Sequence, residues 1–364
     1  MTQPAHGGNL VWAAKLAGCP PSAIVDFSAS ISPLGPPHSV LVAMKSQMAK
    51  VRNYPDPNYS ELRLALSHFH QLPSEWILPG NGSAELLTLL GREFAQLTAT
   101  VLMTPAFGDY YRALRSYNAN VQELFFWEEE EDKGKAIKFI PPLSDSVTPK
   151  TSGLIINNPH NPTGKLFVRE AILHYLEEFA LVVVDEAFMD FLSPEEEQSL
   201  IGLVQKYPNL VILRSLTKFY SLPGLRLGYA IAHPERLQYW KLWRDPWPVS
   251  SLAEVAGIAA ISDLDFQEQT WAWLPTVREE LFQGLSQIPG LEPLPSAANF
   301  LLIKSQVSVK KLQSQLLRHH QIFIRDCVSF PELGDRFFRI AVRTSEENQL
   351  LLDAFNQVMI RNAG

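Results

Sequence analysis

The chain has 364 residues, 46% of them hydrophobic and 19% charged, which describes roughly two packed domains rather than a disordered protein. Thirty-one Lys and Arg against 38 Asp and Glu leave a net charge of -7, which speaks against nonspecific nucleic-acid binding and against a polybasic membrane surface. Two cysteines, Cys19 and Cys327, exclude a disulfide framework and an all-cysteine metal site.

The first ten residues carry neither a basic nor an apolar targeting segment. No apolar run approaches the roughly 18 residues that span a bilayer, so a soluble, cytoplasmic enzyme is expected. Residues 1–37 read as loop, because Pro33, Pro36 and Pro37 preclude a regular helix there. A helix is predicted over Ser83–Ala95, where Leu86, Leu90 and Phe94 recur every four residues. Short runs at Thr100–Met103, Val121–Phe126, Gly153–Ile156, Leu181–Val184 and Val211–Leu213 are apolar rather than alternating. Such strands suit a sheet buried on both faces. Between them Val168–Phe179 carries Ile172, Leu173, Leu176 and Phe179 on one helical stripe. The alternation of strand and helix predicts an α/β fold with a mostly parallel sheet.

Two acidic stretches, Glu128–Asp132 and Glu195–Glu197, lack the interleaved spacing of a calcium loop and read as solvated loops. From Leu252 to about Gln287 the pattern is helical, with one long helix. Apolar strands return at Phe300–Ile303, Ile322–Ile324 and Phe337–Val342, and a last helix places Leu351, Phe355 and Val358 on one face. The expected organisation is a large α/β domain over residues 51–268 and a smaller α+β domain over 269–364. Residues 1–50 form an N-terminal segment that joins the smaller domain.

Four pieces carry chemistry. Gly80-Asn81-Gly82-Ser83 runs directly into a helix whose first N–H groups are free donors for an anion, though alone it reads more readily as a plain turn. Asn157-Asn158-Pro159-His160-Asn161-Pro162-Thr163-Gly164 follows a strand, where ligands sit in open α/β sheets; its bland reading is a proline-stiffened turn. Asp185 ends the apolar run Leu181–Val184, and a carboxylate so placed is costly unless paired. It suits a base, a partner for a protonated ring nitrogen or, least well for want of a nearby histidine pair, a metal ligand. Lys218 stands among Leu216, Phe219 and Tyr220 just past a buried strand, the setting of a Schiff-base lysine rather than a surface one. Ser215 and Arg226 flank it and suit a phosphate.

Taken in this order, with the spacing Ser215-x-x-Lys218-x7-Arg226 and with Arg339 beyond, these pieces resemble the fold-type I pyridoxal-phosphate enzymes of the aminotransferase class I/II family. The resemblance covers nearly the whole chain. It implies a large domain built on a seven-stranded, mostly parallel sheet flanked by helices, with pyridoxal 5'-phosphate as cofactor. It makes Lys218 the residue that links covalently to the cofactor and Asp185 the partner of its ring nitrogen. Asn161 would bind the ring hydroxyl, Phe107 would stack on the ring, and Gly82, Ser83, Ser215 and Arg226 would hold the phosphate. Tyr54 resembles the tyrosine that reaches a neighbouring subunit's cofactor, which implies a homodimer with shared active sites. Arg339 resembles the arginine that grips the substrate α-carboxylate.

Phe188 departs from the family pattern, which usually has a tyrosine there. Residues His6-Gly7-Gly8-Asn9, Asp26-Phe27-Ser28-Ala29 and Pro33-Leu34-Gly35-Pro36 resemble the branch that decarboxylates a small phosphorylated amino acid; Ser30 and Ser32 stand where that branch has asparagines. The nearest alternative is a branch that transaminates a phosphorylated, amino-acid-like substrate. In both, Arg325 resembles the arginine on the substrate phosphate; His6 is a candidate second contact from the N-terminal loop, its bland reading being an ordinary loop histidine. No metal, nucleic acid or membrane is expected as a partner. Trp247, beside two prolines, is a further candidate for a wall of the site.

Overall fold

A computed structural model describes residues 7–126 and 147–363, together with the backbone of a two-residue strand at 136–137. The acidic stretch Glu128–Asp132 and His6 lie outside the described residues.

Seven strands form the central sheet: β1 (Ile77–Asn81), β2 (Ala99–Thr104), β3 (Val121–Phe125), β4 (Ser152–Asn157), β5 (Leu181–Asp185), β6 (Leu210–Ser215) and β7 (Leu227–Ile231). Their spatial order is β1-β7-β6-β5-β4-β2-β3. The neighbours from β6 to β3 run parallel, and β7 is antiparallel to both β6 and β1. Every residue of β2, β4, β5 and β6 is buried, whereas the edge strand β3 is only partly covered. The continuous apolar runs of the sequence are this burial on two faces.

A second sheet of four antiparallel strands follows: β8 (Leu291–Pro293), β9 (Phe300–Ser305), β10 (Arg325–Asp326) and β11 (Phe337–Ala341), in the order β8-β9-β11-β10. The chain's start lies against its later part. Val25–Asp26 pairs in parallel with Ile322–Phe323, and the Ala341 N–H donates to the Phe27 carbonyl at 2.8 Å.

One sequence expectation needs correction. Residues 1–37 are not all loop, because Leu10–Ala17 is a helix. Asn9 caps it through Oδ1, which accepts the Trp12 N–H at 3.0 Å, and Gly18 ends it at φ +74°. Its Ala13 and Ala14 pack with Leu317 and Phe323, a tertiary contact that makes eight residues sufficient. The proline cluster does exclude helix, and the next one begins only at His38.

The helical stretch after Leu252 holds the expected long helix, Leu264–Ser286, preceded by a shorter one, Ser251–Ile261. Asp263 separates them by capping the second, its Oδ1 accepting the Phe266 N–H at 3.0 Å. The second helix runs continuously past Gln269. Finally, β1 and β7 carry no strand prediction; Pro79 and Gly80 disguise the one, and the glycine-bearing run after Arg226 disguises the other.

Candidate active site

The carboxyl ends of β4, β5 and β6 are polar residues, Asn157, Asp185 and Ser215, the last lying two residues beyond Leu213, the partner of Asp185 in register. Asn157 and Asp185 are direct neighbours in register. The Asn157 amide donates to the Asp185 backbone carbonyl at 2.8 Å, and its Oδ1 accepts the Asn161 N–H at 2.7 Å. One side chain thus ties the end of β5 to the loop that carries Asn161.

Asp185 is fully buried. Its Oδ2 accepts the Tyr110 hydroxyl at 2.7 Å and its Oδ1 the Ala187 N–H at 3.1 Å. Burial pushes this carboxyl above its ordinary range, against the Tyr110 hydrogen bond and the Lys218 charge that oppose the rise. Lys218, three residues beyond β6, lines a cavity of about 430 Å³. Burial lowers its amine to about 8; Asp185 resists that fall, while Arg339 and Arg226 add to it. A lysine so depressed is partly neutral near physiological pH and is a competent nucleophile.

The same cavity is lined by Gly7, Phe107, Asn161, Arg226, Arg325 and Arg339, with Ser329 and Phe330 at its wall. Arg339, on β11, donates from Nη1 to Asn161 Oδ1, and its guanidinium lies 4.8 Å from the centroid of Phe300. Burial lowers it to about 10, with the neighbouring Arg325 charge adding to the effect. Arg325 stands directly opposite Arg339 in the β10–β11 pair and donates from Nη2 to Ser329 Oγ at 2.7 Å.

The glycine-rich turn meets Arg226. Gly82 opens the helix Gly82–Phe94 at φ +69°, and a Cβ there would lie 2.7 Å from Arg226 Nη2. A Cβ on Gly228 would lie 2.9 Å from the Ser83 nitrogen. Glycine at both positions lets the helix N-terminus and the guanidinium share one small volume, which makes an anion cradle. Ser215 is buried nearby with its hydroxyl 2.7 Å from that of Thr217.

Two expected residues stand elsewhere. Tyr54 is 79% exposed and stacks on Trp247, ring centroids 4.5 Å apart. Neither lines the Lys218 cavity of the single chain. Larger cavities of about 670 and 700 Å³ exist elsewhere, and none of the predicted site residues lines them. The Ser32 N–H donates to the Lys218 carbonyl at 3.0 Å, which joins the N-terminal loop to the site's backbone. Ser30 is buried, and its hydroxyl has no partner among the described residues. Phe188 packs edge-on against Phe300 at 5.1 Å, with the Lys218 amine 5.3 Å from its ring centroid.

Sequence reasoning missed Tyr110, Ser329, Phe300 and the bridging role of Asn157. Tyr110 follows Phe107 by one helical turn, but nothing in the sequence announces its contact with a residue 75 positions away.

Anion donors at one end, a depressed lysine beside the cavity and a buried carboxylate fit pyridoxal phosphate, and with this sheet they define a fold-type I enzyme. The aminotransferase class I and II family matches residues 22–355. The threonine-phosphate decarboxylase of Salmonella typhimurium is 36% identical over 98% of this chain and 96% of its own. A histidinol-phosphate aminotransferase of Ralstonia nicotianae is 33% identical over 95% of this chain and 91% of its own. The solved histidinol-phosphate aminotransferase of Clostridium acetobutylicum superposes with a TM-score of 0.82 at 28% identity, covering 92% of this chain and 99% of its own. The chain belongs to the aminotransferase class I and II family and is a pyridoxal-phosphate enzyme. Among the described residues, no helix is long and apolar enough to cross a membrane.

Proposed function

We propose that this chain decarboxylates L-threonine O-3-phosphate to (R)-1-amino-2-propanol O-2-phosphate, a step toward the nucleotide loop of cobalamin. The observation that carries this reading is the opposition of Arg325 and Arg339 on adjacent strands, both facing the cavity of Lys218. Two fixed cations suit a substrate with two anionic groups, here a carboxylate and a phosphate. The likeness to the Salmonella protein supports the same choice.

In this reading Arg339 forks the α-carboxylate and Arg325 takes the phosphate, with His6 as a second contact. Asn161 holds Arg339 through Oδ1 while serving substrate and cofactor. Gly82, Ser83, Ser215 and Arg226 hold the cofactor phosphate, Phe107 covers the ring, and Lys218 and Asp185 are the catalytic pair. When bound, pyridoxal phosphate supplies a sink for the electron pair that the departing CO2 leaves behind. Lys218, depressed to about 8, carries the proton that returns to the α-carbon. Phe188 offers no hydroxyl beside that amine.

Tyr54 is exposed in the single chain. A homodimer in which it reaches the neighbouring subunit's cofactor belongs to this proposal. So do a cytoplasmic location and the division into residues 51–268 and 269–364, with residues 1–50 joining the latter.

Transamination of histidinol phosphate is the second reading, favoured by the likeness to the Ralstonia protein. Histidinol phosphate offers the two arginines one anionic group, but the 2-oxoglutarate that would take its amino group offers two, so the likeness to the Salmonella protein is what ranks decarboxylation first. Counting CO2 per amine formed, with no keto acid present, tests the proposal.

A further inference from the structure

Tyr110 occupies the first turn of the helix Gly108–Arg115 and is 3% exposed. Its ring meets Phe107 edge-on, with centroids 5.8 Å apart and planes at 89°. Its hydroxyl donates to Asp185 Oδ2 at 2.7 Å. One side chain therefore touches both the residue assigned to the cofactor's ring face and the residue assigned to its ring nitrogen.

Asp185 has little else to hold it. The Ala187 N–H serves Oδ1, and Lys218 and Asp109 are the other charged groups that bear on it. Asn157 grips only its backbone. Without the phenol, Oδ2 would lose its one hydrogen-bond donor among the described residues, and a buried carboxylate short of a donor favours its neutral form. The Tyr110 hydroxyl itself stays protonated, because burial and the Asp185 charge drive its pKa well above the ordinary tyrosine value.

We propose that Tyr110 is a positioning residue that holds the Asp185 carboxylate in one orientation as the anionic partner of the cofactor's ring nitrogen. The inference rests on the cofactor assignment and adds a residue to it. Tyr110 acts through Asp185 and donates no proton to substrate.

A double-mutant cycle on the holoenzyme tests this, with Tyr110→Phe, Asp185→Asn and the pair, read by titration of pyridoxal phosphate and by the visible spectrum of the bound cofactor. Tyr110→Phe keeps the ring packing on Phe107. It should weaken cofactor binding about tenfold, as expected for losing a hydrogen bond to a charged group. It should also alter the bound spectrum and lower kcat while leaving the substrate KM unchanged. In the Asp185→Asn background the same substitution should change binding by less than about twofold. An unchanged constant and spectrum in Tyr110→Phe, or an equal loss in both backgrounds, would overturn the role of Tyr110 and leave the cofactor assignment standing. Failure of the parent chain to bind pyridoxal phosphate would overturn both.

Discussion

Arg325 and Arg339 face each other across adjacent antiparallel strands, β10 and β11, and both line one cavity, Arg325 buried and Arg339 half-buried. Like charges in direct cross-strand register destabilise a sheet, and burial already lowers Arg339 to about 10. Asp326, with Oδ2 3.8 Å from Arg325 Nη1, and Ser329 offset this at Arg325, while Asn161 holds Arg339. An anionic ligand between the two arginines would offset it further, and the proposed reading puts the substrate's anionic groups there.

Arg325→Ala should therefore raise KM for a phosphorylated substrate by about 10- to 100-fold, the loss of one charge-assisted contact. The cofactor spectrum should not change. Steady-state kinetics and a spectrum of the same sample check both halves, and an unaltered KM would remove Arg325 from the phosphate.

Lys218→Ala should abolish the visible absorbance of the lysine–cofactor link and nearly all turnover. Asp185→Asn should leave cofactor bound, more weakly, while kcat falls by orders of magnitude, because the ring nitrogen loses its charge partner. Unchanged turnover in the second variant would separate Asp185 from the chemistry.

The depressed Lys218 amine also predicts how stability follows pH. Its value in the folded apoprotein is about 8, below the roughly 10.4 of an unfolded chain. Between those values the unfolded state binds more protons, so this residue's contribution makes stability rise with pH across that window. Below the folded value it costs stability throughout. Thermal melts of the apoprotein at pH 7 and pH 10 should show a smaller pH-linked gain in Lys218→Met than in the parent. An identical gain would mean that the amine is not depressed.

Gly82→Ala places a Cβ against Arg226 at a positive φ. It should weaken cofactor binding about tenfold or more, since the cradle must open to admit the methyl group. Titration of the apoprotein with pyridoxal phosphate measures this, and normal affinity would move the phosphate away from this turn.

The central strands were legible because burial on both faces leaves an unbroken apolar run, as in Leu181–Val184. Lys218, Asp185 and Asn161 were legible as polar residues set just beyond such runs. What sequence could not show is sideways contact. Tyr110 meets Asp185, and Arg325 meets Arg339, through strand order and register that no local pattern encodes. The helix Leu10–Ala17 was missed although Asn9 and Gly18 mark its ends; the nearby prolines drew the whole segment toward loop. In the central sheet β1 and β7 were missed because Pro79 and Gly80 in the one and Gly228 in the other break the apolar run.

The account's central claim is that the substrate's carboxylate leaves as CO2. Purified protein with pyridoxal phosphate and L-threonine O-3-phosphate should release CO2 and aminopropanol phosphate in equal amounts with no keto acid present. Absence of CO2, with 2-oxoglutarate-dependent conversion of histidinol phosphate by the same sample, would contradict it.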